Sequence, residues 1–318
     1  PGYNGGLFAD NEELDSLKIS DELCEGFKKI GEYDFDSDVS VNILGHIFEQ
    51  SISDLEELRA LVEEGVEEPE IKTSKRKKDG IFYTPAYITR YIVEQSVGGW
   101  LSDRRLEIGF DKLPELTEKD YESITPITRG KRAGQITYNK KIEKHIEAWE
   151  AYKKVLSGIK VIDPACGSGA FLNEVFDYLY REGQTVNNEL AMLKGGQIDL
   201  FRWDTHILAN NIYGVDLNSE SVEITKLSLW LKTANRSEKL TYLEDNVRVG
   251  NSLIDDPAIV GEELAFNWSS KFSEIIKAGG FDVIVGNPPY GATLSTEEKA
   301  HIEKSYPSFK GNYDIYSA

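Results

Sequence analysis

From residue 158 onward, short apolar runs alternate with amphipathic stretches. Lys160-Val161-Ile162-Asp163 reads as a strand, and Phe171, Val175 and Leu179 then recur at helical spacing on one face. Asn211-Ile212-Tyr213-Gly214-Val215-Asp216 reads as a second strand. The helix predicted after it places Val222, Leu227, Trp230, Leu231 and Ala234 on a broad apolar face. Asn246-Val247-Arg248-Val249 and Phe281-Asp282-Val283-Ile284-Val285-Gly286 supply third and fourth strands. Such alternation predicts a parallel α/β sheet with its site at the carboxyl ends of the strands.

Upstream the pattern changes. Residues 81–157 hold a helix that starts at Thr84-Pro85, a polar insertion over about 103–140, and a helix through Ile142, Ile146 and Trp149. Thr84 suits the N-cap and Pro85 the first helical position. Residues 1–80 read as mostly helical, with apolar spacing at Leu44, Ile47, Phe48, Ile52, Leu55 and Leu58, and residues 63–78 read as a charged linker. The division is therefore 1–80, 81–157 and 158–318. The stretch 183–205 is longer than a plain helix-to-strand connection needs.

Composition narrows the picture. The 318 residues carry 55 acids against 36 bases, a formal net charge of −19. Residues 1–80 hold 21 of those acids and 9 of the bases, so most of the excess sits there. That balance argues against a simple nucleic-acid-binding surface. The run Lys75-Arg76-Lys77-Lys78 reads either as a solvated loop or as a phosphate contact. Two cysteines, Cys24 and Cys166, give neither a disulfide framework nor zinc spacing, which suits a reducing cytoplasm. No run approaches the length of a membrane span.

The strand ends carry the chemistry. After the first strand, Pro164-Ala165-Cys166-Gly167-Ser168-Gly169 forms a tight turn into a helix, whose free N–H groups favour an anion. The spacing fits neither the dinucleotide fingerprint nor a P-loop. Asp216 ends the second strand, where a carboxylate either accepts from both ribose hydroxyls of a nucleoside cofactor or caps the next helix. Asn251 follows the third strand, as a reader of an adenine amine or as an ordinary turn residue. Asn287-Pro288-Pro289-Tyr290 follows the fourth. The Asn287 side-chain oxygen and the Pro288 carbonyl can accept both hydrogens of an –NH₂ group, each proline restrains the residue before it, and the ring of Tyr290 can stack on a flat base.

In this order the motifs resemble N6-adenine DNA methyltransferases of the gamma arrangement, within large bacterial restriction–modification enzymes of the type IIG kind. Tyr3-Asn4-Gly5-Gly6-Leu7-Phe8 and Leu44-Gly45-His46-Ile47-Phe48-Glu49 are also similar to stretches of such enzymes. The resemblance implies a Rossmann-like α/β methyltransferase core, with a partial sheet, preceded by a mostly helical amino-terminal region. It implies that S-adenosyl-L-methionine is bound by Thr84, Asp163, Ala165, Gly167, Gly169, Asp216 and Asn251. It gives catalysis to Asn287, Pro288, Pro289 and Tyr290 without a metal, on an adenine flipped out of double-stranded DNA. The missing initiator Met, and an ending at Tyr313-Asp314-Ile315-Tyr316-Ser317-Ala318 that resembles the first turn of the family's next helix, read as a piece of a longer protein. Nuclease and target-recognition domains would then lie elsewhere on the same chain. Two rivals stay open: a methyltransferase acting on protein glutamine or an RNA base, and a non-catalytic cofactor-binding fragment.

Overall fold

The computed structural model describes residues 16, 18–30, 84–126, 136–197, 201–233, 241–289 and 294–309. Within 1–80 these include one helix, Asp21–Ile30, which carries Asp21 and Glu22 in its first turn and Lys28 and Lys29 in its last. That charge order matches the helix dipole. The apolar positions from Leu44 to Leu58, the charged linker, the motifs at 3–8 and 44–49, and the ending at 313–318 lie outside the described residues.

Four parallel strands form the sheet: β1 Val161–Asp163, β2 Ile212–Asp216, β3 Val247–Val249 and β4 Val283–Ile284, in the order β3-β2-β1-β4. The order reverses at β1. Val161 pairs with Ile212 on one side and Val283 on the other, and Asp216 pairs with Val249. A reversal of this kind opens a crevice at the carboxyl ends of the middle strands, where ligands bind in open α/β sheets.

Helices cover one face: α1 Ala86–Ile108, α2 Lys140–Gly158, α3 Ala170–Leu193, α4 Trp203–Asn210 and α5 Ser219–Leu231. Phe171, Val175 and Leu179 of α3 are buried with Val93, Val97 and Leu101 of α1 and Tyr152 and Leu156 of α2. The stretch 183–205 turns out to hold the end of α3 and the start of α4. Gly183 makes room for Trp203, whose ring would lie 2.4 Å from a Cβ at that position. The opposite face is covered by aromatic side chains, with Ile162, Tyr213 and Val215 packed against Phe266, Trp268, Phe272 and Phe281.

Three expectations are corrected. The polar insertion begins after α1, which runs to Ile108; its described part includes a two-strand antiparallel ribbon pairing Thr125 with Thr137 and Pro126 with Ile136. In α5 the buried face is more polar than the apolar spacing implied. Ser221, Thr225, Lys226 and Ser228 are buried alongside Val222 and Trp230, whereas Leu231 is exposed. Lys226 is held there by ion pairs to Glu223 and Glu244. Thr84, finally, is not the N-cap of α1. Pro85 takes that position in extended geometry, with no side-chain cap bond. Among the described residues, no helix is long and apolar enough to cross a membrane.

Candidate active site

Four loops meet at the carboxyl ends of the strands, and backbone chemistry fixes each. In the β1–α3 loop, Gly167 (φ 51°) and Gly169 (φ 85°) adopt left-handed geometry that favours glycine. Gly169 also has no room for a side chain, since a Cβ would lie 2.9 Å from the Thr225 side chain on α5. Three groups pin the loop: Gly167 N–H donates to Asp216 Oδ2 at 2.8 Å, Thr225 Oγ1 donates to Gly167 O at 2.7 Å, and Asn173 Nδ2 donates to Gly169 O at 2.9 Å. The first N–H groups of α3 have no partner within the helix and point out of its start.

Asp163 closes β1. The residue is 1% exposed, and Oδ1 accepts from Ala165 N–H at 3.0 Å. Burial pushes its carboxyl up to about 7, opposed by the Ala165 hydrogen bond and assisted by the charge of Asp216. Asp216 does not cap α5. Asn218 does so, accepting from Ser221 N–H. The Asp216 carboxylate instead spans two loops, taking Gly167 N–H on one oxygen and Asn218 N–H on the other at 2.9 Å. Asn251 lies beyond β3 with Oδ1 accepting from Leu253 N–H at 3.0 Å, a local turn, and its backbone bridges to Ala265. Cys166 is buried, and desolvation first, then Asp216 and Asp163, raise its thiol well above the ordinary value. That environment fits packing and not nucleophilic attack.

Asn287 leaves β4 beside Asp163. Val285 N–H donates to Ile162 O at 2.9 Å, which holds the strand to its end. Gly286 passes close over Asp163, where a Cβ would sit 2.7 Å from Oδ1. Asn287 Nδ2 then donates to Thr84 Oγ1 at 3.1 Å, across 203 positions of sequence. Pro288 and Pro289 follow, half-buried, and Tyr290 lies outside the described residues.

Thr84, Asp163, Ala165, Gly167, Gly169, Asp216, Asn251, Asn287, Pro288 and Pro289 therefore all lie on the loops and helix start around the strand ends. Sequence reasoning missed Gly286, Thr225, Asn173 and Ser252, whose Oγ donates to Pro164 O at 2.5 Å. Gly286 had a signal, a glycine directly before the Asn-Pro-Pro run. Thr225 and Ser252 are small polar residues whose role appears only through partners far away in sequence, and Asn173 links the nearby Gly169 to the distant Ser228.

A parallel sheet with polar loops gathered at its switch point is an architecture in which ligands bind at the strand ends. Residues 210–318 match the family model described as Eco57I restriction-modification methylase. RM.MjaORFECS2P of Methanocaldococcus jannaschii is 28% identical over 276 residues, covering 80% of this chain and 21% of that protein. The adenine-specific methyltransferase PglX of Streptomyces coelicolor is 26% identical over 182 residues, 49% of this chain and 14% of that one. In fold, the chain resembles the type IIL restriction-modification enzyme MmeI, solved in complex with DNA, with a TM-score of 0.50 at 19% identity over 88% of this chain and 30% of that one. The resemblance read from the motifs is thus met by restriction–modification methylases and adenine-specific methyltransferases. The chain spans about a fifth or less of the length of these curated relatives.

Proposed function

We propose that this chain carries the methyl-transfer core of a restriction–modification DNA methyltransferase that modifies adenine N6 and takes its methyl group from S-adenosyl-L-methionine. The observation that carries the reading is the Asn287–Thr84 hydrogen bond. It joins the Asn-Pro-Pro loop to the start of α1, at the same strand ends that hold the glycine loop and Asp216.

The donor set fits that cofactor. The open start of α3 suits a carboxylate. Asp216 suits a ribose diol, and Asn251 has lone-pair capacity left for an amine. When bound, S-adenosyl-L-methionine supplies an electrophilic methyl on a sulfonium. The remaining chemistry belongs to the chain. An adenine in a duplex must be flipped out, at a cost of a few kcal/mol. Stacking on the Tyr290 ring returns about 1–3 kcal/mol of it. The N6 lone pair is conjugated with the ring and is a weak nucleophile. Asn287 Oδ1 and the Pro288 carbonyl accept its two hydrogens and favour the pyramidal nitrogen. The acceptors are fixed in advance, so they need little rearrangement as charge develops. Double-stranded DNA is the partner, with nuclease and target-recognition functions expected elsewhere in the full-length protein.

Product identity tests the proposal. The full-length protein, incubated with methyl-labelled S-adenosyl-L-methionine and duplex DNA, is expected to yield N6-methyladenine on nucleoside digestion and mass spectrometry. Methyl groups found only on RNA, on protein glutamine or on cytosine C5 would overturn it.

A further inference from the structure

We propose that Thr84 is a positioning residue that anchors the Asn287 side-chain amide at the strand ends, an inference that rests on the function proposed above. The two ends of an asparagine amide are alike in size and opposite in hydrogen-bond polarity. For a target –NH₂ group only the Oδ1 end is useful. Turned by half a rotation, Asn287 would present its own –NH₂ to the target's, donor against donor. Nothing in asparagine itself holds the amide in place, so a neighbour must.

The neighbour is the Thr84 hydroxyl, which accepts from Asn287 Nδ2 at 3.1 Å. Both partners are held firmly. Thr84 is 9% exposed. It precedes Pro85, which restricts it to extended geometry. It also abuts α1, whose first turn is closed by Thr89 Oγ1 bonding Ala86 O at 3.0 Å and whose Val93 and Val97 are fully buried. On the other side, β4 is tied to Ile162 through Val285 N–H, Gly286 is pressed on Asp163, and Pro288 restrains Asn287. With both backbones fixed, the side-chain torsions of Asn287 are the freedom that remains, and the bond to the Thr84 hydroxyl restrains them. Nδ2 is engaged by Thr84 and Oδ1 is left for the substrate. Serine keeps that hydroxyl. Valine, nearly the same shape, does not.

Two measurements test this. The first is single-turnover methylation by the full-length protein at saturating S-adenosyl-L-methionine and duplex, for wild type, Thr84→Val and Thr84→Ser, each with Asn287 present or replaced by Ala. Thr84→Val is expected to slow methyl transfer about 10-fold, and Thr84→Ser to stay within about 2-fold. In the Asn287→Ala background, Thr84→Val should change nothing further. A wild-type rate in Thr84→Val, or the same fractional loss in both backgrounds, would overturn the proposal, the second outcome placing Thr84 on the cofactor or the fold alone. The second measurement is NMR of the Asn287 side-chain amide in ¹⁵N-asparagine-labelled protein. Thr84→Val is expected to shift both NH₂ resonances while Thr84→Ser preserves them, and unshifted resonances in Thr84→Val would count against the bond. The NMR result stands apart from activity. If wild type makes no N6-methyladenine, the functional reading fails, and the NMR still decides whether Thr84 holds the amide.

Discussion

Asp163 is a carboxyl group in a place that resists charge. It is 1% exposed, and Asp216 ends the neighbouring strand. Burial, more than that neighbour, pushes its carboxyl up to about 7, and one N–H from Ala165 opposes the shift. An unfolded chain would lose this proton near pH 4. Between about pH 4 and 7 the unfolded state therefore releases a proton that the folded state keeps, and the group's contribution to stability is lost as pH rises through that window. Asp163→Asn keeps the shape and removes the titration. Its stability, measured by denaturant unfolding at pH 5 and pH 8, is expected to fall less on the alkaline side than wild type does, by a few kcal/mol at most. Parallel pH profiles would show that Asp163 ionises normally. None of this was visible beforehand. A strand ending in Asp signals a site, but the burial that shifts the group comes from Gly286 and the loops around it.

At the scale of elements, β4 meets its functional loop through a glycine. Gly286 has no Cβ to hold away from Asp163, and an added methyl would lie 2.7 Å from a buried carboxylate oxygen on a fixed strand. Gly286→Ala is expected to cost about 1–3 kcal/mol by overpacking. Gly99→Ala, in the middle of α1 where a Cβ meets nothing within 4 Å, should instead stabilise by about 0.5–1 kcal/mol. Urea midpoints of the two variants on either side of wild type would bear this out, and a Gly286→Ala midpoint at or above wild type would contradict it. The four strands were legible because each is a short apolar run ending at a polar or glycine residue. Their lengths were less so. β4 shrinks to Val283–Ile284, because Asp282 turns its carboxylate to the Lys160 N–H at 2.8 Å. The face of α5 was misjudged for a related reason. Apolar spacing cannot show that Thr225 and Ser228 point inward to bond Gly167 and receive Asn173 Nδ2. Thr84 was taken as a cap because caps are local, whereas its partner is 203 positions away.

At the scale of the whole molecule, charge and site pull in different directions. The chain carries −19, most of it before residue 81, yet its proposed substrate is a polyanion. Residues 1–318 on their own should therefore bind duplex DNA no tighter than about 10⁻⁴ M at physiological salt, the weak end of non-specific binding. Fluorescence anisotropy with a labelled duplex checks this, and sub-micromolar affinity would place recognition within these residues. The gathering of the candidate residues at the strand ends was largely legible, since each motif directly follows a strand or opens a helix beside them. What remained hidden was the wiring among them: Asp216 to Gly167, Thr225 to Gly167, Gly286 on Asp163 and Thr84 to Asn287.

The central claim is that Asn287 activates the target amine and does not hold the cofactor. The most direct measurement is single-turnover methylation of an adenine-containing duplex by full-length Asn287→Ala, paired with calorimetric titration of S-adenosyl-L-methionine into the same protein. Removing one of two fixed acceptors should lower the rate of methyl transfer by at least about 10²–10³-fold, by analogy with losing one preorganised donor from an oxyanion hole, while cofactor affinity stays within a few-fold of wild type. Near-normal methyl transfer by Asn287→Ala, or a loss explained wholly by weakened cofactor binding, would contradict the account.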